Sequence, residues 1–458
     1  MPQPNVIFVF GDQWRAQAVG YAGNAQVRTP VIDALAAESV NFTNAVAGCP
    51  VCSPYRASFL TGQYPLTHGV FVNDVPLDPD ANSIAKSFAS AGYDTAYVGK
   101  WHVDGHGREA YIPAARHQGF QYWKVLECTH DYNNSPYFAG DSDEELTWEG
   151  YDAAAQTRDA CAYMKNHDKS KPFFLTLSWG PPHAPYNTAP EEYRTLYDTE
   201  CIELRPNVPE TEGERSRKEI AGYYAHCSAL DACMGELLTT LKECDIEDDT
   251  ILVFTSDHGD MLGSHGAHKK QQPWEESVRV PFLLRWPRAF GRASRELDAP
   301  IDAPDIMPTL LSLAGVEIPD SVQGRDYASY IRGGDDPSGG AALIMCPHPF
   351  GQWTRKRGGR EYRGVRTTRY TYTRTLDGPW LLFDNETDPH QMNNLVDDPA
   401  HASLRGELDA KTNELLERAG DEFLPSMEYV ERWGYELDES GTVPYSKKCG
   451  AKRRERQG

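Results

Sequence analysis

One segment near the N-terminus reads Cys49-Pro-Val-Cys52-Ser-Pro-Tyr-Arg56-Ala-Ser-Phe-Leu-Thr-Gly62. Ser53 and the proline after it predict the cap and the first position of a helix, and Gly62 predicts that this helix ends two turns later. Cys52 then lies at the positive end of the helix dipole, where free backbone N–H groups stabilise an anion. Arg56, one turn further along, can direct its guanidinium to the same place. We interpret Cys52 as a nucleophile at an anion-binding site.

The Cys49-x-x-Cys52 spacing also has less specific interpretations. Half of a zinc site would require a second pair of ligands, which the sequence does not offer, and a redox pair would open its helix rather than precede a proline. A plain buried thiol is the third interpretation. On this segment alone the three alternatives stay open.

Two short apolar segments end directly before polar residues. Residues 5–10 and 250–255 are typical of central parallel strands; Asp12 follows the first, and Asp257 and His258 follow the second. In open α/β sheets ligands collect at the carboxyl ends of strands. Hard ligands from the two strands could therefore hold one cation near the predicted nucleophile and polarise an anionic substrate. Asp12 by itself also fits a helix cap.

The pattern of elements changes once along the chain. Residues 1–335 alternate short strands with helices, which predicts a catalytic α/β domain with a doubly wound, mostly parallel sheet flanked by helices. Residues 333–340 predict a turn-rich linker, and residues 341–458 predict a smaller C-terminal α+β domain, an antiparallel sheet plus a helix, with a basic tail at 447–458. The predicted helices cover residues 29–40, 83–91, 151–166, 216–243, 305–314 and 397–416, the further strands cover 94–98, 173–179, 280–286, 342–346, 362–367 and 370–375, and 104–170 is otherwise loops.

Composition limits the classes of partner. With 458 residues and a net charge of −22, the chain can bury a large core but is strongly acidic. The acidity disfavours nucleic acid and anionic membranes, so a polyanionic substrate would require a local basic pocket. The apolar runs are too short to span a bilayer, and ten cysteines without a paired framework suit a reducing compartment. We expect a cytoplasmic protein, or a periplasmic or secreted one if a leader has been removed; the oligomeric state is left open.

The string from Cys52 to Arg56 matches the C-x-P-x-R signature of the type I sulfatases, members of the alkaline phosphatase superfamily. Further blocks similar to those of the family follow in order, namely Gly99-Lys100-Trp-His102, Pro-Pro-His183-Ala-Pro, Ser256-Asp-His-Gly-Asp-Met-Leu-Gly263 and Lys270 ahead of Glu275-Glu-Ser-Val-Arg-Val-Pro281. The resemblance implies an alkaline-phosphatase-like fold. It also implies that a formylglycine-generating enzyme oxidises Cys52 to formylglycine, whose hydrate is the nucleophile.

The same resemblance implies a divalent-cation site. Its ligands would be Asp12, residue 52, Asp257 and His258, with Gln13 as a further ligand through its carbonyl oxygen. Many sulfatases have Asp-Asp in the first block and Asn at the position of His258; the pairs found here resemble choline sulfatases, phosphonate monoester hydrolases and many carbohydrate sulfatases. Hard ligands favour calcium, with magnesium and manganese as alternatives.

The resemblance further implies a set of catalytic side chains, namely Cys52, Arg56, Lys100, His102, His183 and Lys270. Lys100 and Lys270 would hold the sulfate together with Arg56. His183 or Lys270 would protonate the leaving group, and His102 would take a proton from the formylglycine hydrate. Lys269 is the alternative to Lys270, and a solvated Lys100 and an ordinary loop His183 are the competing interpretations.

The favoured function is hydrolysis of sulfate monoesters, with a carbohydrate sulfate as substrate in polysaccharide degradation. Aromatic and basic residues in the predicted loops indicate a sugar, although core packing also explains the aromatic ones, and we expect His348, Gln352 and Arg355 to bind it. Phosphonate monoester or phosphodiester hydrolysis and choline or aryl sulfate hydrolysis would use the same residues. A non-catalytic protein that binds sulfated glycans is the alternative from another class.

Overall fold

A computed structural model describes residues 3–444 of the chain. Its strands are β1 (Asn5–Asp12), β2 (Val40–Phe42), β3 (Ala45–Val46), β4 (Asp94–Lys100), β5 (Tyr122–Leu126), β6 (Pro136–Ala139), β7 (Leu146–Thr147), β8 (Phe173–Pro182), β9 (Thr250–Ser256), β10 (Phe282–Arg285), β11 (Arg295–Leu297), β12 (Ile301–Asp302), β13 (Ala341–Cys346), β14 (Tyr362–Thr367), β15 (Tyr370–Thr375) and β16 (Gly378–Asp384). Its α-helices are α1 (Pro30–Ala36), α2 (Cys52–Thr61), α3 (Pro65–His68), α4 (Ile84–Ser90), α5 (Asp152–Asn166), α6 (Glu191–Arg194), α7 (Gly213–Glu243), α8 (Glu275–Val278), α9 (Pro287–Phe290), α10 (Ala303–Ala314), α11 (Ala328–Ile331), α12 (Ala402–Ala419) and α13 (Ser426–Trp433).

The larger sheet has ten strands in the order β11-β2-β10-β9-β1-β8-β4-β5-β6-β7. β1 lies between β8 and β9 and pairs with both in parallel, and β4 extends the parallel part on the far side of β8. β10 is antiparallel to β9. The central strands are buried along their length, as their near-continuous apolar sequences predict. The predicted mostly parallel α/β sheet is confirmed.

Helices flank both faces of this sheet. Because side chains alternate along a strand, Val6 and Phe8 of β1 lie in one buried cluster and Ile7 and Val9 lie in another. The first cluster includes side chains of α2, α4 and α10, and the second includes side chains of α1, α5 and α7. The helix that begins with Cys52 is thereby held against one face of the central strands.

The smaller sheet is an antiparallel meander of β13, β14, β15 and β16, against which α12 packs. The predicted C-terminal antiparallel sheet with a helix is confirmed. Phe8 of the large sheet and Leu343 and Val365 of the small one belong to the same buried cluster. The division into domains 1–335 and 341–458 stays a prediction, and the predicted basic tail at 447–458 lies outside the described residues.

The helix α2 begins earlier than predicted. Its N-cap is Val51, in an extended conformation, and Cys52 is the first helical residue. Ser53 is inside the first turn, and its Oγ has no hydrogen-bond partner within residues 3–444, so the predicted Ser cap was wrong. The proline is still tolerated because N–H groups of the first turn have no partner within the helix. The predicted end is confirmed, since Gly62 follows the helix in the left-handed conformation with φ 65°.

Several other predicted bounds were wrong. The helix predicted to reach residue 40 ends at Ala36, because Val40 pairs with β10 as part of β2. Three short strands, β5 to β7, lie in the region predicted as loops with one helix, and β16 and α13 were not predicted. The strands that were missed are short or lie towards an edge, where pairing with a distant segment outweighs a weak local pattern.

Among residues 3–444, none of the helices combines the length and the apolar character needed to cross a membrane. Each of the nine cysteines within that part is a free thiol.

Candidate active site

Polar side chains from several elements meet at one edge of the large sheet. Asp12 ends β1, Lys100 ends β4, and Asp257 and His258 follow β9. These three strands belong to the parallel part of the sheet, so their carboxyl ends share an edge. The first residue of α2, Cys52, lies at the same edge, within 4.8 Å of ligand atoms of the two aspartates and His258.

Cys52 is 1% exposed, and charged side chains surround its Sγ atom. The sulfur lies 2.9 Å from Lys270 Nζ, 3.2 Å from His258 Nε2 and 3.7 Å from Asp12 Oδ1. Burial and Asp12 oppose ionisation of the thiol, but Lys270, Lys100 and His258 hold its pKa well below the usual value. The environment of residue 52 therefore stabilises negative charge, as an anionic nucleophile requires.

Arg56 contacts carboxylates rather than the thiol. Its Nε and Nη2 donate to Asp257 Oδ2 over 3.2 and 3.1 Å, and Nη2 also donates to Asp12 Oδ2 over 3.1 Å. Its Nη1 donates to the carbonyl of Lys100 and to Ser178 Oγ over 2.8 and 2.7 Å. These bonds occupy all the N–H donors of a guanidinium. The sequence predicted that Arg56 stabilises the sulfate oxygens, whereas the structure directs it to the two aspartates.

Lys100 and Asp12 form a buried ion pair, with Nζ 2.6 Å from Oδ2. Burial opposes the charge on Lys100, but Asp12 raises the pKa of the amine. Burial likewise opposes the charge on Asp12, but Lys100 and the other nearby cations hold the pKa of the carboxyl well below its usual range. Both groups are charged at neutral pH, and Lys100 is not a solvated surface lysine.

Four side chains offer ligand atoms to a cation. Asp12, Cys52, Asp257 and His258 are buried, with their ligand atoms within 4.8 Å of one another. Burial and the charge of Asp12 raise the pKa of Asp257 to about 6, and a divalent cation would offset this repulsion. His258 Nδ1 donates to the Gly259 carbonyl over 2.9 Å, which leaves the Nε2 lone pair for the cluster. The donor set fits a divalent cation.

Gln13 borders this cluster. Its backbone N–H donates to Asp257 Oδ1 over 2.9 Å, and its side-chain Nε2 donates to Asp260 Oδ2 over 2.6 Å. The amide is thereby oriented so that Oε1 accepts from Lys270 Nζ over 3.2 Å. Its carbonyl oxygen lies on the side of Lys270 and Cys52, where a further ligand was predicted.

The two adjacent lysines have different surroundings. Lys270 is buried and donates to Cys52 Sγ and Gln13 Oε1. Lys269 is half-buried, and its backbone N–H, not its amine, donates to Asp260 Oδ1 over 3.0 Å. The structure therefore places the amine of Lys270, rather than that of Lys269, beside Cys52.

His102 is oriented by an acidic residue that the sequence analysis missed. Its Nε2 lies 3.0 Å from Asp74 Oδ1, and Asp74 Oδ2 accepts from Arg108 Nη2 over 2.9 Å. Within residues 3–444 its Nδ1 is buried without a hydrogen-bond partner. Burial opposes a charge on the ring, but Cys128, Asp74 and Cys52 raise the pKa of His102 to about 10. His102 is therefore stabilised as a cation beside Asp74.

His183 is neutral in the same environment. Its Nδ1 donates to the Ala184 carbonyl over 2.7 Å, and its ring stacks on His130 with centroids 4.8 Å apart. Burial, Lys270 and Lys100 hold its pKa well below the usual value. The Nε2 lone pair is thus available to a ligand in the free protein.

The three residues expected to bind the sugar make only local contacts in the described part of the chain. His348 Nε2 donates to the Gly441 carbonyl over 3.0 Å, and Arg355 pairs with Glu361. The buried Nε2 of Gln352 has no hydrogen-bond partner in the described part of the chain. No hydrogen bond or ion pair among the described residues joins any of the three to the catalytic cluster, so their role stays a prediction.

Three partners of the predicted site residues were missed. Asp260 lies in the same sequence block as Asp257, and that block could have indicated it. Asp74 holds His102, and Ser178 accepts from Arg56. No local pattern connects either residue with its partner, because the contacts depend on how β4, β8 and the following loops pack.

Two family models match the chain. Residues 4–316 match the Sulfatase model, and residues 263–418 match the model of the C-terminal part of N-sulphoglucosamine sulphohydrolase. The first match covers well over half of the chain.

Individual proteins are similar over nearly the whole length. An ulvan-active sulfatase from Formosa agariphila is 44% identical over 97% of this chain and 87% of its own. An endo-4-O-sulfatase from Bacteroides thetaiotaomicron is 32% identical over 86% of this chain and 88% of its own. A structure from the same organism, solved in work on the metabolism of multiple glycosaminoglycans, superposes with a TM-score of 0.84 at 30% identity and covers 94% of this chain and 98% of the other. The chain therefore belongs to the sulfatases, the sulfuric ester hydrolases of the alkaline phosphatase superfamily.

Proposed function

We propose that this protein hydrolyses sulfate monoesters of saccharides at the cluster around residue 52, with Cys52 oxidised to formylglycine and a divalent cation at Asp12, Gln13, Asp257 and His258. The observation that supports this most directly is the position of Cys52: its sulfur lies within 3.7 Å of an aspartate, a histidine and a lysine at the start of a buried helix. The hydrated aldehyde would supply a nucleophilic oxygen, and a cation held by Asp12, Gln13, Asp257 and His258 would neutralise charge on the sulfuryl oxygens.

Lys100 and Lys270 stabilise the charge that develops on the substrate. Both amines are buried, and both influence the ionisation of Cys52. Charges fixed in a poorly solvated site act more strongly than charges in water and need no reorganisation during the reaction. Arg56 acts indirectly, because it holds Asp12 and Asp257 in the positions that bind the cation.

His183 and Lys270 serve the leaving group. In the free protein His183 is neutral because it is buried among cations. A bound sulfate adds negative charge beside Lys270 and Lys100, which favours protonation of His183 at Nε2. The protonated ring, or Lys270, then donates a proton to the departing alcohol.

His102 moves the second proton. In the converted enzyme the Cys52 sulfur, one of the groups that raise the pKa of His102, is absent, and neutral His102 keeps its Nε2–H on Asp74. Its Nδ1 accepts the proton of the second hydroxyl group at residue 52 while the bond between residue 52 and the sulfate breaks and the aldehyde re-forms, which leaves a charged ring beside Asp74. Asp74 keeps this tautomer and stabilises the charged ring.

A saccharide substrate is supported by the relatives, two of which are an ulvan-active sulfatase and an endo-4-O-sulfatase. Calcium is the proposed cation because the ligands are hard, and maturation requires a formylglycine-generating enzyme as partner.

Two measurements test this function. Mass spectrometry of the peptide that contains residue 52 should show conversion of the cysteine, and the converted enzyme should hydrolyse nitrophenyl sulfate faster than a nitrophenyl phosphonate. A faster reaction with the phosphonate would replace the proposed activity, and an unconverted but sugar-binding protein would exclude catalysis. A panel of sulfated mono- and oligosaccharides then identifies the substrate. Removal of bound metal with a chelator, followed by addition of calcium, magnesium or manganese, identifies the ion that restores activity.

A further inference from the structure

An unusually basic loop lies on the small sheet. Residues 353–360 read Trp-Thr-Arg-Lys-Arg-Gly-Gly-Arg in a protein of net charge −22. We call this segment the basic loop. Its cationic side chains, Arg355, Lys356, Arg357 and Arg360, are all exposed.

The positive charge of the basic loop is largely unused by the fold. Arg355 pairs with Glu361, but within residues 3–444 Lys356, Arg357 and Arg360 form no side-chain hydrogen bond or ion pair. Four exposed arginines elsewhere are paired with acids, namely Arg288, Arg292, Arg369 and Arg432, whereas Arg28, Arg158 and Arg194 are exposed singly and have no ion-pair partner among the described residues. Lys356 and Arg357 are adjacent like charges that no ion pair among the described residues offsets, and Arg360 lies close to them in the chain, so the basic loop concentrates positive charge on an acidic protein.

The flanks of the basic loop are attached beside the catalytic cluster. The N–H of Phe350 donates to Gln271 Oε1 over 3.1 Å, and Gln271 Nε2 donates to the Phe350 carbonyl over 2.9 Å. On the other flank, the Tyr362 hydroxyl donates to the Gln271 carbonyl over 3.1 Å. Gln271 directly follows Lys270, whose Nζ lies 2.9 Å from Cys52 Sγ. The segment that carries Lys270 is thereby hydrogen-bonded to the residues on both sides of the basic loop.

Aromatic rings connect the two places. Trp274, four residues after Lys270, has its ring centroid 6.3 Å from that of Trp380, and Trp380 is stacked on Trp353 at 6.5 Å and 22°. The guanidinium of Arg360 lies 4.8 Å from the Trp380 centroid. Trp274 and Trp380 are partly exposed. Indole rings combine an apolar face with an N–H donor, which suits the face and the hydroxyl groups of a sugar ring.

We propose that the basic loop and Trp380 form a distal subsite that binds a second sulfate group on the same saccharide chain. This inference rests on the proposed function, in that the scissile sulfate lies at residue 52. Arginines bind sulfate through paired, charge-assisted hydrogen bonds, and the sugar between the two sulfates contacts Trp380. The preferred substrate is accordingly a multiply sulfated oligosaccharide rather than a monosaccharide sulfate.

Equilibrium binding tests the subsite without catalysis. The full chain carrying Cys52→Ala is titrated calorimetrically with a chondroitin sulfate hexasaccharide and with its desulfated counterpart. Adding Lys356→Ala, Arg357→Ala and Arg360→Ala should raise the Kd for the sulfated probe at least about tenfold, the range expected when several charge-assisted contacts are lost. A matched control, Lys165→Ala, Lys218→Ala and Arg288→Ala, removes the same charge from exposed sites elsewhere and should change the Kd less than about twofold.

Three binding results would overturn the inference. The first is an equal Kd for the sulfated probe with and without the loop cations. The second is an equal Kd for the sulfated and desulfated probes. The third is a Kd for duplex DNA as low as that for the hexasaccharide. The last result would identify a general polyanion surface. Circular dichroism and melting curves confirm that each variant is folded.

Turnover separates failure of this inference from failure of the proposed function. The loop variant carries Lys356→Ala, Arg357→Ala and Arg360→Ala and keeps Cys52. Its kcat/KM for a sulfated oligosaccharide, divided by its kcat/KM for nitrophenyl sulfate, should be about tenfold lower than the same ratio for the parent enzyme. An unchanged ratio in an active enzyme rejects the subsite alone. The opposite result is a parent enzyme that has no turnover but binds the sulfated probe, with that binding lost in the loop variant. This result rejects the proposed function and keeps the subsite.

Discussion

The catalytic cluster and the basic loop both contain cations, but their environments differ. In the cluster, Lys100 is paired with Asp12, and every N–H group of the Arg56 guanidinium donates to an acceptor in the protein. In the loop, Lys356 and Arg357 are exposed and have no acidic partner among the described residues. Charges of the first kind are in place before a substrate arrives and suit chemistry at one atom. Charges of the second kind are free to bind and suit recognition of a sulfated chain.

Removal of the reactive residue should separate the two regions most strongly. Cys52→Ala should lower kcat by at least about 10⁴-fold, because no nucleophile remains, while glycan binding at the basic loop persists. The melting temperature should stay within about 4 °C of that of the parent, since alanine is close in size to cysteine. Activity on nitrophenyl sulfate and calorimetry with the hexasaccharide are the measurements. Substantial turnover by this variant would remove Cys52 from the mechanism.

The adjacent lysines provide a matched pair within the cluster. Lys270→Ala should lower kcat/KM about 10²- to 10³-fold, because a buried charge beside residue 52 is lost. Lys269→Ala should cost less than about fivefold, because its amine makes no described contact with that residue. Steady-state kinetics of both variants shows which lysine contributes to catalysis, and equal losses of kcat/KM would contradict the assignment of Lys270.

Asp74 allows a test of positioning in the cluster. Asp74→Asn should lower kcat about 10- to 100-fold with little change in KM, because the amide no longer stabilises the charged His102 ring. Removal of the anionic partner also lowers the pKa of His102, so the limb of the pH–rate profile that reports this group should move to lower pH.

The control for Asp74 is Asp94→Asn, which removes a similar Asp–His pair, with His167 at 3.2 Å, away from the cluster. It should leave kcat and the pH profile unchanged. If both variants behave alike, Asp74 has only a structural role.

Salt should produce the smallest effect, and it should weaken binding at the basic loop more than binding at the cluster. Between about 0.1 M and 1 M salt the Debye length falls from about 10 Å to 3 Å, which screens exposed charges far more than buried ones. KM for a sulfated oligosaccharide should rise about tenfold, and KM for nitrophenyl sulfate about two- to threefold at most. Kinetics at both ionic strengths check this, and an equal salt response of the two substrates would show that the regions do not differ as described.

Much of the site could be predicted from local rules. Asp12, Asp257 and His258 follow continuous apolar strands, so the meeting of strand ends at one edge of a parallel sheet was predictable. The Cys52 helix was predicted from its proline and Gly62, although its first residue was placed too late. β5 to β7 were missed because short strands are stabilised by their neighbours more than by their own sequence.

The sequence by itself determined the chemistry that is present: a cysteine at a helix start, acids at strand ends, and lysines and histidines in motifs typical of sulfatases. Only the tertiary structure decided what each group contacts. Arg56 turns to the two aspartates, Asp74 holds His102, and Gln271, next to Lys270, bonds to Phe350 and Tyr362 on either side of the basic loop. The physical reason is that strand and helix signals are local, whereas a side chain takes its partner from whatever residue the packing of distant segments brings within reach.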